Sequence, residues 1–108
     1  MVQQPKNTIY IGGQNGVDAD GKVVGPTLGE QARQAFRNLA TILESEGASL
    51  ANVVHWRIAA VDGSSIDEGV AAFQEMWNRS DPPPAITVHF VAGLAPGFLV
   101  EIDAVAVV

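Results

Sequence analysis

Apolar positions along this chain repeat with two different periods. Between Leu28 and Leu43 they recur at three and four residues (Leu28, Ala32, Ala35, Phe36, Leu39, Leu43), one stripe of a 3.6-residue helix, while Arg33, Arg37, Glu44 and Glu46 fall largely off it. Thr27 and Glu30 have the spacing of a capping box at its start, and Gly47 supplies a stop. Ser65 and Glu68 repeat that spacing before a second stripe, Ile66, Val70, Phe73 and Trp77, which Asp81-Pro82-Pro83-Pro84 cannot continue. Elsewhere the period is that of strands. Thr8 to Ile11 is β-branched and aromatic, and Asp18-Ala19-Asp20-Gly21 before Lys22-Val23-Val24 predicts a hairpin. Val53 to Val61 predicts a third strand with Val54, Trp56, Ile58 and Ala60 on one face and Val53, His55, Arg57, Ala59 and Val61 on the other. Ala85 to Val91 and Phe98 to Val108 complete the set, with a turn from Gly93 to Gly97. The order is ββαβαββ, an α+β class, in one domain over residues 1–108. Two helices can cover only one face of such a sheet, so the other is left to water or to another subunit.

Composition sharpens that last point. The chain is 47% hydrophobic and 17% charged, against an average of about 25% charged. Such an apolar surplus in so short a chain predicts a homo-oligomer. A net charge of −6, with Lys and Arg scattered singly, leaves no basic stripe for phosphates, so nucleic acid is not an expected partner. The absence of cysteine removes disulfides, thiolate nucleophiles and thiolate metal sites, and suits a cytoplasmic protein. MVQQPKNTIY lacks the layout of a secretory signal. The uncharged run from Pro82 to Val100 is broken by Pro84, His89, Gly93, Pro96 and Gly97, so two short strands are expected there and no membrane span. Asp18-x-Asp20-Gly21 superficially suggests a calcium loop, but Gly29 stands where the chelating glutamate belongs. The sequence has no Ser-His-Asp order, metal-ligand cluster or glycine-rich phosphate loop, and neither a metal nor a cofactor is expected.

The candidate chemistry sits in the last strand, FLVEIDAVAVV. Residues two apart share a face, so Glu101 and Asp103 lie with Leu99, Val105 and Val107, opposite Phe98, Val100, Ile102, Ala104 and Ala106. An unpaired carboxylate taken out of water costs several kcal/mol. Glu101 is therefore either satisfied by backbone donors or a neighbouring chain, or wet in a cleft and used; the second is the expectation. Asp103 reads as a solvated or salt-bridged strand residue. His55 and Arg57 share a face on which pairing between subunits is expected.

The chain also resembles a known family. Gly13-Gln14 followed by Asp18 and Gly21, then Gln31, Asn38-Leu39, Ile42-Leu43, Gly47-Ala48-Ser49-Leu50, Val53-Val54, Pro84, Leu94, Pro96 and Val100-Glu101-Ile102 are similar in order and spacing to the Rid (YjgF) family. The similarity runs from about Thr8 to Ala106. It implies a fold like that of the trimeric chorismate mutases, with sheets packed into a barrel, helices outside and ligand clefts between subunits. In the best-characterised branch, enamines and imines are hydrolysed to keto acids and ammonia. There an arginine after the fourth-strand proline holds the substrate carboxylate, and the last-strand glutamate is thought to position water. In this chain the arginine position falls on Ile86, the usual serine before Gly-Gln is Gly12, and the asparagine of the second helix falls on Val70. Of the polar pocket set only Glu101 matches.

A carboxylate substrate binds well where a guanidinium offers two parallel charge-assisted hydrogen bonds; isoleucine offers none. A pocket formed by Gly12, Val70, Ile86, Val88 and Glu101 should take a more apolar ligand with one hydrogen-bonding or ionisable end. One replacement for the lost cation is open, Arg57 reaching the cleft from its neighbouring strand. The expected function is a Rid-like homotrimer, a variant hydrolase or deaminase of imine- or enamine-type metabolites, without the standard arginine-dependent activity. The alternative is a non-catalytic binding module for a small apolar metabolite. An older label for the family is a ribonuclease, against which the acidic composition argues.

Overall fold

Leu28–Ser45 forms α1, and its stripe is buried as the periodicity requires: Leu28, Ala32, Ala35, Phe36, Leu39 and Leu43 all face the core. The Thr27 side chain accepts the Glu30 N–H at 3.2 Å, capping the N-terminus. At the other end Gly47 adopts φ +74°, and the Ala48 and Gly47 N–H groups donate to Leu43 and Glu44 carbonyls at 2.9 and 3.1 Å. This is a Schellman closure, which needs the left-handed conformation that glycine adopts without strain. The computed structural model describes residues 7–108. Residues 1–6, most of the segment read above for a secretory layout, lie outside them.

The remaining elements are β1 (Thr8–Gln14), a 3-10 turn (Leu50–Asn52), β2 (Val53–Val61), α2 (Ile66–Met76), β3 (Ala85–Val91) and β4 (Val100–Val107). They build a four-stranded sheet in the order β1-β4-β2-β3, antiparallel except for the β2–β3 pair. Both helices lie on one face. Trp56, Ala60, Val100, Ile102, Ala104 and Ala106 meet α1 there, with the Phe36 and Trp56 rings edge to face at 5.4 Å. Among the described residues no helix covers the other face. Trp77, expected in the core, caps α2 half-buried, with its ring stacked on Phe73.

Three local expectations are corrected. The arm Lys22-Val23-Val24 forms only a single bridge, Val17 to Val23. The Asp18 carboxylate accepts the Asp20 and Lys22 N–H groups at 2.9 and 3.0 Å, and Gly21 at φ +79° completes a tight loop rather than a ladder. Val53, expected on the face of His55 and Arg57, is buried, because the β2–β4 register shifts between Val53 and His55 and turns Val53 back to the core. Ser65 makes no side-chain cap; the Glu68 carboxylate accepts the Gly29 N–H of α1 at 3.0 Å instead. The residue expected to cap α2 therefore caps its neighbour.

Candidate functional site

Glu101 stands where β4 passes a bulge in β1. Ile11 pairs with Ala104 and Gln14 with Ile102, so three steps of β1 span two of β4, and Gly12-Gly13 absorbs the difference. Gly13 has a steric reason to be glycine. A Cβ there would lie 2.5 Å from Glu101 Oε1, so only a bare backbone lets the carboxylate lie along the bulge. Gly12 is exposed, with nothing within 4 Å of where its Cβ would be. Glu101 is half-buried, and its carboxylate has no hydrogen-bond partner among the described residues. The backbone-satisfied reading of this acid thus finds no donor among the described residues.

The strands around the acid are held from the helix side by side-chain amides, of which Gln31 is fully buried. Gln31, 1% exposed, donates from Nε2 to the Gly97 and Gly25 carbonyls at 3.0 and 3.3 Å and accepts the Leu99 N–H at 2.8 Å. Asn38 donates to the Asn15 and Val17 carbonyls, and Asn15 in turn donates to the Val100 carbonyl at 3.1 Å. Helix α1 therefore sets both the entry to β4 and the exit from the bulge, the two segments that flank Glu101. Sequence reasoning used Gln31 and Asn38 only as points of resemblance. A signal was available: a glutamine between Leu28 and Ala35 on an otherwise apolar stripe is an amide destined for burial, and a buried amide needs partners.

Arg57 lies on the same uncovered face but is already engaged. The β2–β4 register sets it opposite Asp103, and the guanidinium forks the carboxylate at 2.8 and 3.0 Å. The hydrogen bond and the negative charge of Asp103 raise the guanidinium pKa further above its ordinary value. A pairing expected between subunits is thus made within one chain, and the Arg57 cation is spoken for. His55, next along β2, shares a hydrogen bond of 2.9 Å with the Thr87 hydroxyl.

Val70, Ile86 and Val88 are on the other side of the sheet. Ile86 and Val88 pair with Trp56 and Ile58, so they project to the helix face, and with Val70 they line an apolar hollow beside α2. Within one chain the structure therefore groups the expected pocket residues into two sets: Gly12, Arg57 and Glu101 on the open face, and Val70, Ile86 and Val88 on the helix face at the β3 edge. The second set is conspicuously exposed. Val70, Ile86, Val88 and Phe90 are 40–55% accessible, which places most of the exposed large apolar side chains at one edge of the molecule. Among the described residues no group of three or more His, Asp or Glu is close enough to hold a metal, and no helix is long and apolar enough to cross a membrane.

These features define a small α+β protein with an acid lying over a glycine bulge on an uncovered sheet and an apolar wall at the far edge. The family model described as Endoribonuclease L-PSP matches residues 1–108. The chain belongs to that family, the Rid/YjgF proteins. It is 33% identical over 101 residues to the human 2-iminobutanoate/2-iminopropanoate deaminase and 36% identical to the Bos taurus protein of the same name, covering 93% of this chain and 72% of either relative. Among solved structures, RidA from an Antarctic Psychrobacter superposes with a TM-score of 0.86 at 31% identity, over 97% of this chain and 84% of that one. A Rid-family protein from Yersinia pestis gives 0.83 at 32% identity, over 99% and 83%.

Proposed function

We propose that this chain assembles as a homotrimer and hydrolyses imine- or enamine-type metabolites that lack a carboxylate, in clefts between subunits. In this reading the apolar edge formed by Val70, Ile86 and Val88 of one copy faces Glu101 and Gly12 of the next. Two deaminase relatives at 33% and 36% identity support the reaction class. Residue 86 supports the departure from their named substrates, 2-iminobutanoate and 2-iminopropanoate, which carry a carboxylate. The family resemblance places an arginine there, and this chain has isoleucine, while the Arg57 guanidinium is tied to Asp103. An anion left unpaired in such a site loses roughly a hundredfold in affinity.

The observation that carries the reading is the Glu101 carboxylate, half-buried, without a donor among the described residues, and lying over a glycine bulge. Ionised, it accepts a proton from water as the water oxygen bonds to the imine carbon. That proton is delivered to nitrogen to give the carbinolamine, and Glu101 then carries the hydroxyl proton to the same nitrogen as the carbon–nitrogen bond breaks, releasing ammonia and leaving a carbonyl. Imine plus water thus gives carbonyl plus ammonia, with no redox partner. An enamine enters the same path after protonation at carbon.

Ammonia release from freshly generated uncharged imines tests this. The wild-type chain should exceed the buffer rate, and Glu101→Ala should return to it with its oligomeric mass unchanged. A rate equal to buffer, or an equal rate in Glu101→Ala, would sink the catalytic reading. The binding-module alternative then predicts saturable stabilisation by an apolar ligand without turnover. The net charge of −6 argues against RNA as substrate whatever the family model is called.

A further inference from the structure

Where α1 and α2 meet the 3-10 turn, the surface carries a groove of about 230 Å³. Its floor is Phe36, Ala40, Leu50, Ala72 and Met76, and Arg33, Arg37 and Glu75 stand at its rim. Ala40, Leu50 and Met76 are only half-buried, so part of that apolar floor is open to a ligand. The walls are fixed from several sides. Arg33 forks Glu75 across the two helices at 2.6 and 3.1 Å, the Gly29 N–H donates to Glu68 at 3.0 Å, and the Asn52 amide ties the turn to the Val107 carbonyl at 3.1 Å. A groove held in this way loses little further order on binding.

The two rim arginines are in different states. Arg33 is neutralised by Glu75. Arg37, one turn on, takes part in neither salt bridge among the described residues, and its one side-chain hydrogen bond there runs from Nη2 to Gln34 Oε1 at 3.1 Å. Its neighbours three and four steps along α1 are Arg33, Gln34, Ala40 and Thr41, which offer a like charge and no carboxylate. The bond to Gln34 orients the exposed guanidinium and leaves most of its donors for an incoming group. In a chain of net charge −6, this is a cation without an acid beside it, set over apolar surface.

We propose that the groove is a second binding site, one that takes a small amphipathic carboxylate with its hydrocarbon on the floor and its anion forked by Arg37. No residue of the groove belongs to the Glu101 set or to the Val70, Ile86 and Val88 set, and both helices lie on the face of the sheet opposite Glu101. The proposal therefore goes beyond the imine chemistry and does not depend on it. Charge and hydrocarbon are both required: a short anion leaves the floor empty, and an uncharged chain leaves Arg37 unpaired.

Hexanoate, acetate and hexanamide are the probes, titrated into the full chain in its native oligomeric state with 13C-labelled methionine methyl groups. Met76 is one of two methionines, so its signal reports from the groove floor. Hexanoate should move that signal saturably at about millimolar concentration, and acetate and hexanamide should bind about tenfold more weakly or not at all. Arg37→Gln, at an exposed position, should weaken hexanoate about tenfold. Ala40→Glu, which sets a carboxylate in the groove, should abolish the shift. Imine hydrolysis should be the same in both variants as in the wild-type chain, so failure here is separate from failure of the Glu101 reading. A Met76 signal that does not move, equal binding of hexanamide, or unchanged hexanoate affinity in either variant would overturn the proposal.

Discussion

The two helices sit on the same sheet, yet one is finished and the other is not. Helix α1 buries Leu28, Ala32, Ala35, Phe36, Leu39 and Leu43 among its inward positions and faces β4, where Val100, Ile102, Ala104, Ala106 and Val107 are buried. Helix α2 buries only Ala72, and the strand at its side, β3, has no fully buried residue. The first pair behaves as a closed core, stitched by Gln31 and Asn38. The second presents Val70, Ile86, Val88 and Phe90 to solvent around an apolar hollow. A surface of that kind is a reason to expect a partner or a ligand, and it lies at a free sheet edge, where unpaired backbone groups add to the attraction. The lesson is that the apolar surplus of this chain is concentrated and not spread.

Substitutions on the two sides should differ sharply. Leu39→Ala, at a position with no exposure, should cost about 2–5 kcal/mol in denaturant unfolding. Phe90→Ala, at 55% exposure, should shift the unfolding of dilute protein by only about 0.5 kcal/mol, while reducing the oligomer fraction in sedimentation. Equal destabilisation by both would erase the distinction between a closed and an open half.

The amide staple comes next in size. Gln31→Met keeps the volume but leaves the Leu99 N–H and the Gly97 carbonyl without their partner, at about 1–3 kcal/mol, and hydrogen exchange at Leu99 should accelerate. Smaller in stability, but aimed at the site, is Gly13→Ala. Its methyl group would meet the Glu101 carboxylate and displace it, so imine hydrolysis should fall by about a hundredfold with the fold intact by circular dichroism.

The smallest effect is electrostatic. The hydrogen bond from Arg33, and then its charge, lower the Glu75 pKa from its ordinary value against opposition from desolvation. A depressed carboxylate stabilises the fold above its unfolded pKa and loses that contribution as pH falls through the lower, folded value. In Glu75→Gln the stability difference from wild type should therefore be present at neutral pH and vanish in acid below the ordinary carboxylate range. Both groups are exposed, so salt should shrink it as well.

Much of this was legible in local pattern. The α1 stripe, the Val53–Val61 and Ala85–Val91 strands and the side of β4 on which Glu101 lies follow from period alone, because a core has to be built on one face. What escaped depends on partners distant in sequence. Gln31 reaches Gly97 and Leu99 across more than sixty residues, and Glu68 leaves its own helix for Gly29 across 39. Bulges escaped for a different reason: one extra residue inverts a face without changing composition, which is how Val53 came to the core. The resemblance groups the expected pocket residues as one set, but only the sheet order shows that Ile86 and Glu101 lie on opposite faces of one chain.

The central claim, that residue 86 decides which substrates this fold accepts, is tested most directly by Ile86→Arg assayed against a matched pair of imines with and without a carboxylate. The account predicts that the wild-type chain favours the uncharged imine and that the variant gains roughly a hundredfold on the carboxylated one. A wild-type chain that already prefers the carboxylated imine, or a variant whose preference does not move, would contradict it.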